Sequence, residues 1–101
     1  MRTIAEHRCL ATLCILVGPC RGTSNEIVLI NLLESIGMSS AKAELRESLS
    51  DLEKVGALRQ DWHEALLVVH LTPRGAEIAK GTISVNGIAS PGIDCPYWTM
   101  E

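Results

Sequence analysis

The stretch Leu49-Ser50-Asp51-Leu52-Glu53-Lys54-Val55-Gly56-Ala57-Leu58 contains the change of pattern on which the fold turns. Up to Val55 the apolar residues Leu45, Leu49, Leu52 and Val55 recur at steps of four and three, which is the spacing of one helix face. Beyond Gly56 the pattern becomes extended. Residues 57–62 form one strand-like run, His63-Glu64 a polar break, and residues 65–71 a second run rich in β-branched and aliphatic side chains. A helix ended by glycine and followed at once by a two-strand hairpin is the reading.

Working back from that helix, Ser39 or Ser40 can cap its start with a side-chain oxygen. Before it, Ile27, Leu29, Ile30, Leu33 and Ile36 predict a helix that stops at Gly37. Its expected start is a capping box in which Thr23 accepts from a first-turn amide and Glu26 reaches back to the cap. Earlier still, Ile4, Leu10, Leu13, Leu16 and Val17 predict an amphipathic first helix, closed by Gly18-Pro19. Working forward, Thr72-Pro73 is a hydroxyl cap with proline in the first helical position, and Gly81 ends the short fourth helix. The last twenty residues contain Gly87, Pro91, Gly92 and Pro96 and no sustained period.

The expected fold is therefore mainly α with a small β-hairpin, in the order α-α-α-β-β-α. That is a winged helix-turn-helix with a C-terminal extension, divided into a domain over residues 1–81 and a tail over residues 82–101. The chain has 101 residues, enough for one core, and its 47% apolar and 21% charged residues are a globular composition. That core must be aliphatic, since there is no Phe and the aromatic residues are Trp62, Tyr97 and Trp98.

The L-x-x-L-E-x-x-G spine of Leu49, Leu52, Glu53 and Gly56, with Leu71-Thr72-x-x-Gly75 after the hairpin, resembles that of many winged-helix regulators. Ala57 and Leu58 stand where Leu and Val are usual. Together with Pro19, Ser24-Asn25-Glu26 and the ending Gly81-x-x-x-Val85-x-Gly87-Ile88-x-x-Pro91, the chain resembles a family of small winged-helix, ArsR-like proteins of Mu-like phages and prophages. The resemblance covers about Arg8 to Pro91. One departure is Ser90, where a basic residue is expected before the tail proline. The resemblance implies a phage or prophage context inside a bacterial host cell. The order of helix 2, turn, helix 3 and hairpin, with Lys42 and Arg46 outward, leads to the expectation of a homodimer acting on double-stranded DNA as a transcriptional regulator or accessory factor.

If helix 3 enters a major groove, the face opposite its leucines offers Ser40, Lys42, Ala43, Arg46, Glu47 and Ser50. Arg59 and His63 on the wing and Arg74 at the start of helix 4 are the expected backbone contacts. The same helix holds three bases against four acids between Lys42 and Lys54, and the chain's formal net charge is -3. Such a face is also what an ordinary solvated helix shows, and the whole-molecule field repels a polyanion. The alternative is a winged-helix protein-interaction module in a phage packaging or morphogenesis assembly, with the tail residues Ile88, Tyr97 and Trp98 as anchors for a phage protein partner. Ile83, Val85 and Ile88 could equally cover the first helix or a twin subunit.

Cys9, Cys14, Cys20 and Cys95 form no C-x-x-C and read as buried free thiols in a reducing cytoplasm. His7 and His70 have no zinc-ligand spacing, so no metal and no cofactor are expected. No nucleophile elbow, phosphate loop or carboxylate pair is present, so no catalytic residue is expected. The apolar run from Cys9 to Val17 is far shorter than the ~20 residues of a membrane span and lacks a cleavage pattern, so a soluble cytoplasmic chain without membrane contact is expected.

Overall fold

In the computed structural model, which describes residues 4–18, 20–83 and 85, the leucine stripe lies on helix α3 (Lys42–Lys54), and its Leu45, Leu49 and Leu52 are fully buried. The glycine after it is required by geometry. Gly56 has φ +79, its amide donates to the Glu53 carbonyl at 3.0 Å, and the Ala57 amide donates to Leu52 at 2.9 Å. Those two bonds satisfy carbonyls that a helix end leaves without partners, and they need a left-handed residue between them. Helix α2 (Glu26–Ser35) ends the same way at Gly37, and α4 (Pro73–Lys80) at Gly81.

The elements run α1 (Ile4–Val17), β1 (Thr23–Asn25), α2, α3, β2 (Leu58–His63), β3 (Leu66–Leu71), α4. This is the winged helix-turn-helix order, mostly helical, with one strand that the sequence reading lacked. The sheet is antiparallel with order β1-β3-β2, so the wing's second strand is central. Strand β1 pairs Thr23, Ser24 and Asn25 with His70, Val69 and Val68.

That pairing corrects the expected start of α2. Thr23 is in the strand, and the cap is Asn25, whose Oδ1 accepts from the Val28 amide at 3.0 Å. An N-cap residue is extended, so three residues can end a strand and open a helix together. The start of α3 also differs from expectation. Its cap position is Ala41, one bond short of a full capping box: Glu44 accepts from the Ala41 amide at 2.9 Å, while no side chain caps from position 41. Ser40 Oγ is buried and finds no hydrogen-bond partner among the described residues.

The first helix is more deeply placed than its expected one-sided pattern. Every residue from Arg8 to Leu16 is buried, because α4, α2, α3 and β3 all pack on it. Cys9, Ala11, Cys14 and Ile15 supply the apolar surface on its other sides, and a helix apolar nearly all round belongs inside. Cys9 and Cys20 are free thiols, and Cys14 is buried. Burial pushes the Cys9 thiol up to about 11, so it behaves as a small hydrophobe rather than a nucleophile. Cys95 lies outside the described residues. Ile83 and Val85, at the start of the expected tail, pack against the core; Ile88, Ser90, Tyr97 and Trp98 lie outside the described residues. No helix among the described residues is long and apolar enough to cross a membrane.

The Leu71-Thr72-x-x-Gly75 motif joins the wing to both flanking helices. Thr72 Oγ1 accepts from the Gly75 amide at 3.1 Å, capping α4, and donates to the Gly56 carbonyl at 2.6 Å. One hydroxyl therefore ties the start of α4 to the end of α3. Replacing Thr72 with valine keeps the volume and removes both bonds. Chemical denaturation is expected to show a loss of about 1–2 kcal/mol, most of it restored by serine.

Candidate nucleic-acid interface

The exposed side of α3 begins with Lys42, Ala43 and Glu44 and continues through Glu47, Ser50 and Asp51. The leucines at 45, 49 and 52 fix this rotation by facing the core. Of the expected contact residues, Lys42, Ala43, Glu47 and Ser50 are open to solvent, and Ser40 is half-buried beside the helix start.

Arg46 is the exception on that face. Its Nε donates to Glu26 Oε1 at 2.8 Å and its Nη2 to Glu26 Oε2 at 3.0 Å, a bidentate pair between α3 and the first residue of α2. The guanidinium carbon also sits 5.0 Å from the centroid of the Trp62 ring on the wing. Such a distance is within cation–π range. Glu26 is 1% exposed, whereas Arg46 keeps 40% of its side chain in solvent and Trp62 is 56% exposed. Thus a buried carboxylate anchors the arginine, a ring flanks it, and part of its side chain remains in solvent.

The electrostatics follow from that arrangement. The Arg46 bonds hold the Glu26 carboxyl below its ordinary value; burial opposes this, and the charges of Arg46 and Lys42 and the Leu67 amide act with the bonds. Reciprocally, Glu26 raises Arg46 above its ordinary value. Neither Glu26 nor Trp62 was among the residues expected from sequence to build this surface. The capping-box position expected of Glu26 is not used: Asn25 caps the helix, and the Glu26 carboxylate is buried against Arg46.

The wing divides its side chains between two faces. Gln60 and Trp62 point toward α3: Gln60 Nε2 donates to Glu53 at 2.7 Å, and Trp62 meets Arg46. Alternation along the strand puts Arg59, Asp61 and His63 on the other face. There Asp61 lies 3.1 Å from His70 Nε2, and Thr23 Oγ1 lies 3.4 Å from His70 Nδ1, a polar ladder across all three strands. Arg59 and His63 are exposed on that outer face, so the fold brings Trp62 to α3 and sends those two elsewhere. Arg74 is also engaged within the fold: its Nε donates to the Val55 carbonyl at 2.7 Å, at the C-terminal end of α3, where a cation is favoured.

The available positive charge is therefore smaller than the sequence count. The Arg46 charge is paired with Glu26, Arg74 stays exposed with its guanidinium held at the Val55 carbonyl, and Lys42 is the exposed cation in the first turns of α3, beside Glu44 and Glu47. Among the described residues no group of three or more His, Cys, Asp or Glu side chains is arranged to hold a metal ion. Compared with known proteins, the chain matches no family model, no curated protein and no solved structure.

Proposed function

We propose that the chain is a winged-helix protein that binds double-stranded DNA as a homodimer, with α3 in the major groove and the wing beside it, acting as a regulator or accessory factor. The observation that carries this reading is the contact between Arg46 of α3 and Trp62 of the wing. It joins the two elements a winged helix uses on DNA into one continuous surface. Lys42 supplies the phosphate contact on α3, and Arg59 and His63 extend the footprint from the wing's outer face. The phage or prophage setting rests on the motif resemblance alone.

Few free cations mean few displaced counterions. With Lys42 and Arg59 as the charged phosphate contacts, about two phosphates are neutralised per protomer, and the slope of log K against log salt is expected to be about -1.8 per protomer. Titration of phage genomic fragments from low to moderate salt measures it, and Lys42→Gln is expected to make the slope shallower by about 0.9. Absence of any binding that weakens with salt would sink the proposal.

A second reading is favoured by the acid excess on the same surface. Glu44, Glu47, Asp51 and Glu53 stand exposed on α3, with Ile27 and Val28 exposed at the start of α2 and Trp62 on the wing. In this reading the surface docks a basic, partly apolar protein of a phage packaging or morphogenesis assembly. Recovery of such a partner that is lost with Trp62→Leu, together with no salt-dependent DNA binding, would favour it.

A further inference from the structure

We propose that Glu26 and Trp62 are positioning residues that set Arg46 to read a guanine in the major groove through its Nη1–Nη2 edge; the inference rests on the DNA-binding reading above. A guanidinium offers its donors along distinct edges. The side edge, Nε with Nη2, is bonded to the two oxygens of Glu26. The end edge, Nη1 with the second Nη2 hydrogen, makes no hydrogen bond to any described residue, while 40% of the side chain is in solvent.

Two parallel donors on a fixed plane match the two acceptors, O6 and N7, that guanine presents in the major groove. Adenine places an amino donor where O6 would be, so the same edge meets a donor there. A base is favoured over a phosphate because the adjacent carboxylate offsets the guanidinium's charge, which weakens a purely coulombic contact more than a directional pair of hydrogen bonds. The free ammonium of Lys42 is the better phosphate group.

Rigidity adds to the match. Arginine is among the most flexible side chains, and ordering it on binding ordinarily opposes association. Here two bonds to a fully buried carboxylate and an aromatic ring have already fixed the plane. Arg46 is also the fifth residue of α3, within the N-terminal half from which a recognition helix contacts bases.

The test is selection of tight-binding duplexes from a random library with the full chain. Affinities for the best duplex are then compared with those for the same duplex carrying adenine in place of each guanine. The wild type is expected to discriminate one guanine by roughly 5- to 150-fold. Arg46→Lys keeps the charge and loses the planar edge, so the ratio is expected to fall close to one. Glu26→Gln and Trp62→Leu are each expected to cut it by at least about threefold. A merely structural role would lower both affinities together and leave the ratio unchanged, and that result in Trp62→Leu, whose ring is largely exposed, would overturn the inference. Salt-dependent binding by a wild type that shows no guanine preference would also overturn it while leaving the DNA-binding reading intact. Failure of the wild type to bind any duplex would remove both.

Discussion

Gly75→Ala is expected to destabilise the domain by about 3 kcal/mol or more, against a total stability of about 5–15 kcal/mol for a domain of this kind. Helix propensity alone gives the opposite sign, since alanine is favoured over glycine inside a helix by about 1 kcal/mol. Packing decides. A methyl group on Gly75 would press into the Ala57 carbonyl oxygen, and it would lie 2.7 Å from Leu71 Cδ1 and 2.9 Å from the Ala57 carbonyl carbon. The oxygen it meets is backbone and already accepts from the Thr72 amide at 3.1 Å, so it has no side-chain freedom with which to yield. Relief would require α4 to lift from the end of α3 and would break the Thr72 bonds on both sides. Gly37→Ala is the contrasting control: nothing lies within 4 Å of its added methyl, but φ is +83, so the cost is the left-handed backbone alone, about 1–2 kcal/mol. Urea denaturation of the two variants measures the difference. If Gly75→Ala proved the milder, the close approach of α4 to Ala57 would be wrong.

The same residues show what was legible in the sequence. Leucines at 45, 49 and 52, the glycines at 37, 56 and 81 and the Thr72-Pro73 start are local signals, because helix period, left-handed turns and hydroxyl caps are each decided within a few neighbouring residues. They gave the element order and the hairpin. Strand β1 was hidden because three residues carry no period, and what makes Thr23–Asn25 a strand is β3, more than forty residues later. Ala41 as a cap was unreadable for a related reason: two serines nearby have better capping chemistry, and packing rather than local preference placed the helix start. The all-round burial of α1 likewise depends on four other elements.

The candidate site was legible only as a face. Rotation of α3 follows from its buried leucines, so the outward positions of Lys42, Ala43, Glu47 and Ser50 follow too. The state of each cation does not. Arg46 and Arg74 looked alike as outward bases, yet one meets a buried carboxylate and the other a helix-end carbonyl, partners at sequence separations of twenty and nineteen residues. Glu26 carries a capping-box position in the sequence, and nothing local to it marks its carboxylate as buried. Counting bases therefore overstated the charge available to a nucleic acid, and the surface is better described as one oriented arginine beside one free lysine.

Arg46→Met is expected to reverse the pH dependence of stability contributed by Glu26. In the wild type the folded-state carboxyl is held below its ordinary value, first by the Arg46 bonds. The unfolded chain then takes up its proton near the ordinary Glu value of ~4.3, while the folded chain resists until lower pH. The pair's contribution is therefore complete above that unfolded value and is lost as pH falls through the depressed folded one. Methionine removes the bonds and the charge but leaves Glu26 buried at the head of α2. Burial is then the largest single influence left, opposed by the Lys42 charge and the Leu67 amide, and the folded-state value is expected to rise above the unfolded one. The folded variant now binds the proton more tightly than the unfolded chain, so its stability improves as pH falls, from a markedly lower starting point at pH 7, where an unpaired carboxylate must stay buried or be protonated. Glu26→Gln in the same background is expected to abolish the dependence and recover part of the loss, because a neutral amide carries no buried charge while keeping the shape. Urea titrations from about pH 3.5 to 7.5 on the wild type, Arg46→Met and the double variant read the slopes directly. A parallel acid limb in the wild type and in Arg46→Met would show that Glu26 and Arg46 are not paired in solution. The inward-turned carboxylate would then have some other partner.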